Sequence, residues 1–442
     1  MDELAAGALE GADRQELERI PVPKEFTAVH IRVEDVDMFK GTADKDVRRS
    51  LRVGPVPMPE LAPDEVLIAV MASSINYNTV WSATFEPVST FAFLRQLGRR
   101  GGWDARHEQP WHVLGSDTAG VVVRSGAGVR HWHPGDHVVV TTAYVDDQEP
   151  ATHSDGMMGS DQRAWGFETN FGGLAHYAVV RANQLLAKPA LLTWEEAAAN
   201  PLCAGTAYRM LVSERGARMK QGDVVLIWGA AGGLGTYAAQ FVRNGGGTAI
   251  GVVGSEEKAE AAYAVGCHHV INRQDIGLTG DELADPAVYG KRLGKLIRNA
   301  VGEDPRIVFD HVGRATFGIS VFVVARGGTV VTCGSSTGSL HEFDNRYLWM
   351  RLKRIIGSHG ANLQEQWETN RLLNQGVIKS ALSECYPLEQ TAEAARLVQE
   401  NRHIGKVGVL SLAPKTGLGV TDPGLRDRIG AATLAPLLRG QL

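Results

Sequence analysis

The stretch Trp165-Gly166-Phe167-Glu168-Thr169-Asn170-Phe171-Gly172-Gly173 sets a carboxylate, an amide and backbone amides in a glycine-rich loop bounded by aromatic rings. Two further polar groups stand out, Ser73-Ser74-Ile75-Asn76-Tyr77-Asn78 and Gly357-Ser358-His359. Side-chain amides, imidazoles and backbone N–H groups donate hydrogen bonds, and Asn78 and His359 are side chains of these types within the two groups. Glu168 only accepts when ionised. Each also has an ordinary alternative: a loop amide, a capping carboxylate, a satisfied imidazole.

The run Gly229-Ala230-Ala231-Gly232-Gly233-Leu234-Gly235 follows the apolar stretch Val224-Val225-Leu226-Ile227-Trp228 and opens a helix expected over 234–244. That context is what a dinucleotide fingerprint requires. Gly229, Ala231, Gly232, Gly233, Leu234 and Gly235 let the backbone approach a pyrophosphate, and the helix N-terminus adds partial positive charge. The next strand ends in Gly254-Ser255-Glu256-Glu257-Lys258. An NAD site would place an acid at this tip for the ribose hydroxyls, whereas Ser255 and Lys258 suit the 2′-phosphate of NADPH. Glu256 and Glu257 then complement the helix dipole. The plain alternative is a capped helix with a solvated lysine.

The elements that position these residues fall into two styles. Residues up to about 49 read as an arm with a helical start. From 65 onward, apolar runs such as 65–72, 119–124 and 137–140 alternate with turn residues, among them Pro134-Gly135-Asp136, and predict a β-rich domain. Thr193-Trp194-Glu195-Glu196 reads as a capped start of an Ala-rich helix. Beyond it strands and helices alternate, the signature of a doubly wound parallel sheet. The apolar strand 406–410 is expected to rejoin the first domain. The fold class is therefore α/β, with a β-rich domain over 1–207 and 358–442 and a Rossmann dinucleotide-binding domain over 208–357.

A chain of 442 residues exceeds one ordinary core. Its formal net charge of −5 is mixed along the chain, which leaves no electrostatic case for nucleic acid. Cys203, Cys267, Cys333 and Cys385 stand far apart, which excludes a Cys-rich structural zinc site and fits a reducing cytoplasm. No apolar run reaches membrane-spanning length, and the acidic and small residues at the start lack the basic-plus-apolar pattern expected of a signal peptide.

The turns Leu114-Gly115-Ser116-Asp117-Thr118-Ala119-Gly120 and Pro134-Gly135-Asp136, in a β domain around a Rossmann domain, resemble the medium-chain dehydrogenase/reductase superfamily. Zinc-dependent members carry a cysteine where Asn76 stands and Gly-His-Glu where Gly115-Ser116-Asp117 stands. With neither ligand present, no metal is expected. Within the zinc-free branch, Asn76-Tyr77-Asn78-Thr79-Val80-Trp81, Phe85-Glu86-Pro87, the 165–170 motif, Asp344-Asn345-Arg346-Tyr347-Leu348-Trp349-Met350, Lys353-Arg354-Ile355-Ile356-Gly357-Ser358-His359 and Gly417-Leu418-Gly419-Val420-Thr421-Asp422-Pro423 are similar to crotonyl-CoA carboxylase/reductases.

The resemblance implies a GroES-like substrate domain and reductive carboxylation of a 2-enoyl-CoA thioester by NADPH, with CO2 as co-substrate. The product would be a 2-alkylmalonyl-CoA of the kind used as a polyketide-type extender unit. It maps CO2 holding onto Asn78, Phe167 (through its backbone amide), Glu168 and His359, and implies a cytoplasmic homo-oligomer, dimeric or tetrameric. Arg346 and Tyr347 offer a guanidinium and a ring to the CoA moiety, with Lys353 and Arg354 adding charge. The family has a phenylalanine where Gly360 stands, and the missing ring predicts room for an acyl chain longer or bulkier than crotonyl. The alternatives are a plain NADPH-dependent enoyl-CoA or quinone reductase without carboxylation, and a non-catalytic nucleotide-binding protein on the same scaffold.

Overall fold

The computed structural model describes residues 1–278 and 285–438. It divides into two compact units, one of Met1–Leu202, Asn362–Asn374 and Leu382–Leu442, the other of Cys203–Ala361 and Gln375–Ala381. The expected boundaries at 207/208 and 357/358 thus shift. Helix Pro201–Leu211 runs into the second unit because Tyr208 packs edge-on against Phe241 at 5.4 Å and Met210 O accepts from Ala217 N. The stretch Gln375–Ala381 joins it because Lys379 N donates to Gln240 Oε1 at 2.7 Å and Ala381 N to Tyr237 Oη at 3.1 Å.

The first unit is built on a seven-stranded sheet. Strand Glu65–Ser74, buried along its whole length, lies at its centre. It pairs antiparallel with Thr118–Ser125, Tyr177–Arg181 and Lys406–Leu410. Strand Lys406–Leu410 therefore does rejoin the first unit, through the Gly408↔Ser74 register. The arm is more than an arm. Its Glu25–Arg32 segment is the middle strand of a separate three-stranded sheet, because buried Phe26, Ala28 and His30 line one of its faces and buried Val29 and Ile31 the other. The Thr193 cap forms as a reciprocal box with Glu196.

The second unit carries a six-stranded parallel sheet in the order His269–Asn272, Thr248–Val253, Val224–Trp228, Ile307–Asp310, Thr329–Thr332, Arg354–Gly357. The order reverses between Val224–Trp228 and Ile307–Asp310, and in open α/β sheets ligands bind beyond the carboxyl ends of the strands at such a point. Helix Gly233–Asn244 follows the first of these strands directly. Among the described residues no helix is long and apolar enough to cross a membrane.

Candidate active site

Strand register brings the first polar group together. Ser73 pairs with Thr118, so the residues just beyond Ser74 and just before Thr118 meet at one end of the sheet. Asn78 sits in the first turn of helix Tyr77–Thr84, and its Nδ2 donates to Ser116 Oγ at 2.8 Å. Ser116 Oγ in turn donates to the Trp165 carbonyl at 2.7 Å. One hydroxyl thereby links Asn78 to the start of the 165–173 loop. The short pair Ala143–Tyr144 with Arg163–Ala164 launches that loop, and Trp165 N donates to Thr142 O at 2.9 Å.

The loop's own amide is structural. Asn170 Oδ1 accepts from Val113 N and Phe171 N, both at 2.9 Å, while its Nδ2 donates to Trp111 O at 2.9 Å and His107 O at 3.3 Å. Four bonds saturate a side-chain amide. His112 holds the same loop through Nε2 to Thr169 O at 3.0 Å, with Thr90 Oγ1 2.9 Å from its Nδ1.

Phe167 and Glu168 are half-buried. Both of their N–H groups converge on Ala164 O, at 3.2 Å from Phe167 and 2.8 Å from Glu168. The Phe167 amide is thus engaged in a turn rather than open, though by the longer bond. Glu168 Oε2 accepts from Ala164 N at 2.7 Å, and its Oε1 has no hydrogen-bond partner among the described residues. Glu168 therefore caps its own loop with one oxygen and keeps the other. The Phe167 ring lies 6.4 Å from Trp81 and 6.0 Å from Phe93, and Tyr77 packs edge-on to Trp81 at 5.4 Å. These half-buried rings form one aromatic cluster that includes Tyr77 and Phe167, the chain neighbours of Asn78 and Glu168. Phe93 escaped the sequence reading because an aromatic on a helix reads as core.

Beneath Asn78 lies a buried charged network. Asp117 Oδ2 accepts from Ser74 Oγ at 2.8 Å, Asn76 Nδ2 at 2.7 Å and Lys406 Nζ at 3.0 Å, and Oδ1 accepts from Leu202 N at 2.8 Å. Asn76 is the N-cap of its helix yet does not cap it, because its side chain is turned inward to this network. Asn76 and Ser116, the positions of metal ligands in zinc-dependent relatives, are both engaged in hydrogen bonds. Among the described residues no group of three or more His, Cys, Asp and Glu side chains is placed to hold a metal ion.

In the second unit the glycine turn fits a dinucleotide. A Cβ on Gly235 would lie 2.2 Å from Gly229 O, so only glycine lets helix and strand pack this closely. Gly229 adopts φ +61°, and a Cβ there would meet His311 Nε2 at 3.1 Å. Gly232 is the N-cap, so no side chain covers the first helical amides and an anion can take them. His311 follows Asp310 at the switch point, and its Nε2 donates to Trp228 O at 3.0 Å. Burial holds its pKa below the usual value, against the opposing pull of Asp310 and of the Trp228 carbonyl.

Ser255 caps helix Glu256–Ala264 by accepting from Lys258 N at 3.3 Å, so its hydroxyl has a structural role. Lys258 is half-buried. Burial first and the Arg273 charge second lower its pKa, while Glu257 raises it. Arg273 stands beside the strand tip, its Nε 3.3 Å from where a Gly254 Cβ would be. The sequence reading missed Arg273, and the available signal was its place directly after the parallel strand His269–Asn272.

His359 lies just past the edge strand Arg354–Gly357, is exposed, and belongs to the second unit, unlike Asn78 and Glu168. Gly360 adopts φ +52°, so its glycine also answers a backbone need. The expected CoA residues have local partners. Arg346 pairs with Asp344 through Nε at 3.0 Å and Nη2 at 2.6 Å, and remains exposed. Tyr347 packs edge-on to Phe322 at 4.7 Å. Lys353 is not a free charge: its Nζ donates to Val321 O at 2.7 Å and Phe322 O at 2.9 Å, capping the helix Phe317–Val323.

Residues 62–190 match the alcohol dehydrogenase GroES-like domain and residues 233–374 the zinc-binding dehydrogenase family. The chain is 53% identical to crotonyl-CoA reductase of Streptomyces avermitilis, covering 91% of this chain and 92% of that protein. It is 38% identical to crotonyl-CoA carboxylase/reductase of Cereibacter sphaeroides, over 90% of each. It superimposes with a TM-score of 0.98 on the 2-octenoyl-CoA carboxylase reductase CinF in complex with NADP and 2-octenoyl-CoA, at 64% identity and full coverage of both chains. The chain therefore belongs to the crotonyl-CoA carboxylase/reductase family of the medium-chain dehydrogenase/reductases.

Proposed function

We propose that this chain catalyses NADPH-dependent reductive carboxylation of a 2-enoyl-CoA with an acyl chain longer than crotonyl, forming a 2-alkylmalonyl-CoA. The observation that carries the reading is the Asn78–Ser116–Trp165 chain of hydrogen bonds beside Glu168, which simple reduction does not need. Its 64% identity to an enzyme bound to 2-octenoyl-CoA supports the longer acyl group.

When bound, NADPH would supply a hydride to the β-carbon of the enoyl thioester. The enolate left at the α-carbon either takes a proton from water or bonds to the carbon of CO2. Carboxylation wins when CO2 is held at that carbon and water is kept away. CO2 gains negative charge on its oxygens only as the new bond forms, so N–H donors aimed at them act mainly in the transition state. Asn78 Nδ2 retains one N–H for this purpose, and the family resemblance assigns the role of second donor to His359. Phe167 N–H can turn to an incoming oxygen, since Glu168 N–H keeps the shorter bond to Ala164 O. The unpaired Glu168 Oε1 orients a donor, and Trp81, Phe93 and Phe167 exclude water.

For the cofactor, Gly229, Ala231, Gly232, Gly233, Leu234 and Gly235 would cradle the pyrophosphate, and Lys258 with Arg273 would take the 2′-phosphate, with Ser255 shaping the turn. The exposed Arg346 can exchange Asp344 for a CoA phosphate, with Tyr347 alongside, and Gly360 leaves room for the acyl tail. The edge strand Arg354–Gly357 is preceded by Trp349, Met350 and Leu352, which are 60%, 55% and 66% exposed. An open strand edge flanked by apolar side chains suits pairing with a second copy of the chain. The free cysteines fit a cytoplasmic home.

The test supplies labelled bicarbonate, NADPH and 2-octenoyl-CoA and weighs the product. Label in a 2-alkylmalonyl-CoA supports the proposal. Saturated acyl-CoA alone at saturating bicarbonate would establish the plain reductase instead.

A further inference from the structure

We infer that Ser116 is a positioning residue that fixes the amide orientation of Asn78 and thereby sets how the enolate divides between CO2 and a proton. The inference rests on the proposed role of Asn78 and names a residue that acts through it.

Ser116 is buried, at 1% exposure, and its hydroxyl carries one proton. The Trp165 carbonyl, 2.7 Å away, can only accept, so that proton goes to it. Asn78 lies 2.8 Å from the same oxygen, which now offers lone pairs alone. The contact is a bond only when the amide turns its NH2 toward Ser116, because a carbonyl there would face lone pairs. Among the described residues Asn78 makes no other side-chain hydrogen bond, so this single contact decides which way the amide points. The second N–H of Nδ2 and the Oδ1 are left for whatever enters. Reversed, the amide would lose the bond to Ser116 and exchange the places of its donor and acceptor.

Ser116 is itself held from both sides. Gly115 adopts φ +112°, and a Cβ there would lie 2.4 Å from Leu174 N, so the turn has no slack. Asp117 is anchored by Ser74, Asn76, Leu202 and Lys406, and its carbonyl accepts from Ser73 Oγ. The Trp165 end is tied by Trp165 N to Thr142 O and by Nε1 to Val179 O at 3.1 Å. A Cβ on Gly166 would lie 2.0 Å from Gly115 O, so the loop and the Ser116 turn touch through backbone. Ser116 is thus a rigid link between the helix that carries Asn78 and the loop that carries Phe167 and Glu168.

The experiment compares the carboxylated-to-reduced product ratio and the KM for CO2 in the full-length enzyme, Ser116→Ala, Ser116→Cys, Asn78→Ala and the double variant Asn78→Ala/Ser116→Ala. Ser116→Cys keeps the side chain's bulk with a poor donor, so it reads the hydrogen bond where Ser116→Ala fails to fold. Loss of one hydrogen bond predicts a KM for CO2 raised about fivefold or more and a ratio lowered to match. The KM values for enoyl-CoA and NADPH should move less. In the Asn78→Ala background Ser116→Ala should add almost nothing, because its effect runs through Asn78. Additive effects, or a ratio unchanged in both Ser116 variants of a carboxylating enzyme, would overturn the inference alone. A wild-type enzyme that never incorporates label would overturn the proposed function, and the inference with it.

Discussion

Arg273 and Gly254 face each other at the tip of the second parallel strand, with the guanidinium Nε 3.3 Å from where a Gly254 side chain would begin. The chain thus holds two cations, Lys258 and Arg273, where an NAD-binding enzyme would hold an acid. Gly254→Asp should pair with Arg273 and accept ribose hydroxyls instead of phosphate. We expect the NADPH/NADH ratio of kcat/KM to fall by about tenfold or more, about 1.4 kcal/mol. Arg273→Ala and Lys258→Ala should each raise the KM for NADPH far more than that for NADH. Equal effects on both cofactors in steady-state kinetics would remove these residues from the phosphate site.

Glu168 and His359 should govern the outcome of the reaction more than its rate. Hydride transfer needs nicotinamide over the β-carbon, which neither side chain need arrange. Glu168→Ala or His359→Ala should shift product from alkylmalonyl-CoA toward saturated acyl-CoA while NADPH oxidation partly survives. Mass analysis of products beside cofactor oxidation checks this, and loss of both activities with the fold intact would make them substrate-positioning residues instead.

Acid should destabilise the loop's foundations. Burial, with the Arg106 charge adding, holds His107 down to about 3, and burial holds His112 down to about 4 against the raising effect of the Thr169 carbonyl. Both ordinary values are 6.5, so between there and about 4 the unfolded chain binds protons that the fold refuses. Stability from these groups is complete above pH 6.5 and falls as pH drops, by about 1.4 kcal/mol per pH unit for each histidine. Denaturant unfolding across this window should show the slope, and His112→Gln should make it shallower by about one proton.

Chain length should raise specificity. Each buried methylene contributes about 0.8 kcal/mol, close to fourfold in affinity. We expect 2-octenoyl-CoA to exceed crotonyl-CoA in kcat/KM by one to two orders of magnitude, on the order of that estimate. Gly360→Ala tests the backbone side of the same residue. At φ +52° it should cost about 1–2 kcal/mol, read as a lower Tm. An unmodified enzyme that prefers crotonyl-CoA would show that other residues fill the space.

Lys406 and Asp117 form a buried ion pair with side chains 2% and 0% exposed. Lys406→Met leaves the Asp117 carboxylate uncompensated and should destabilise by about 3–5 kcal/mol in urea unfolding. Adding Asp117→Asn removes the orphaned charge and should recover part of the loss.

Much of the molecule was legible as local pattern. The glycine turn after Trp228, the capping box of Thr193 with Glu196 and the β nature of 406–410 each depend on residues a few positions apart. Spacing and residue type settle such features, because one turn or one strand is all they involve. The motifs at 76–81 and 165–170 likewise carry the family resemblance in the order of their residues alone.

Tertiary structure alone decided the rest. Asn170 looked like a site amide and is saturated by its own loop, while Lys353 looked like a CoA contact and caps a helix. By residue type Ser116 is only an absent zinc ligand, yet it joins Asn78, 38 residues before it, to Trp165, 49 residues after it. Arg273 reaches Gly254 only because two parallel strands lie side by side. Which donor meets which acceptor follows from strand register and the path of the chain, and residue type by itself carries neither.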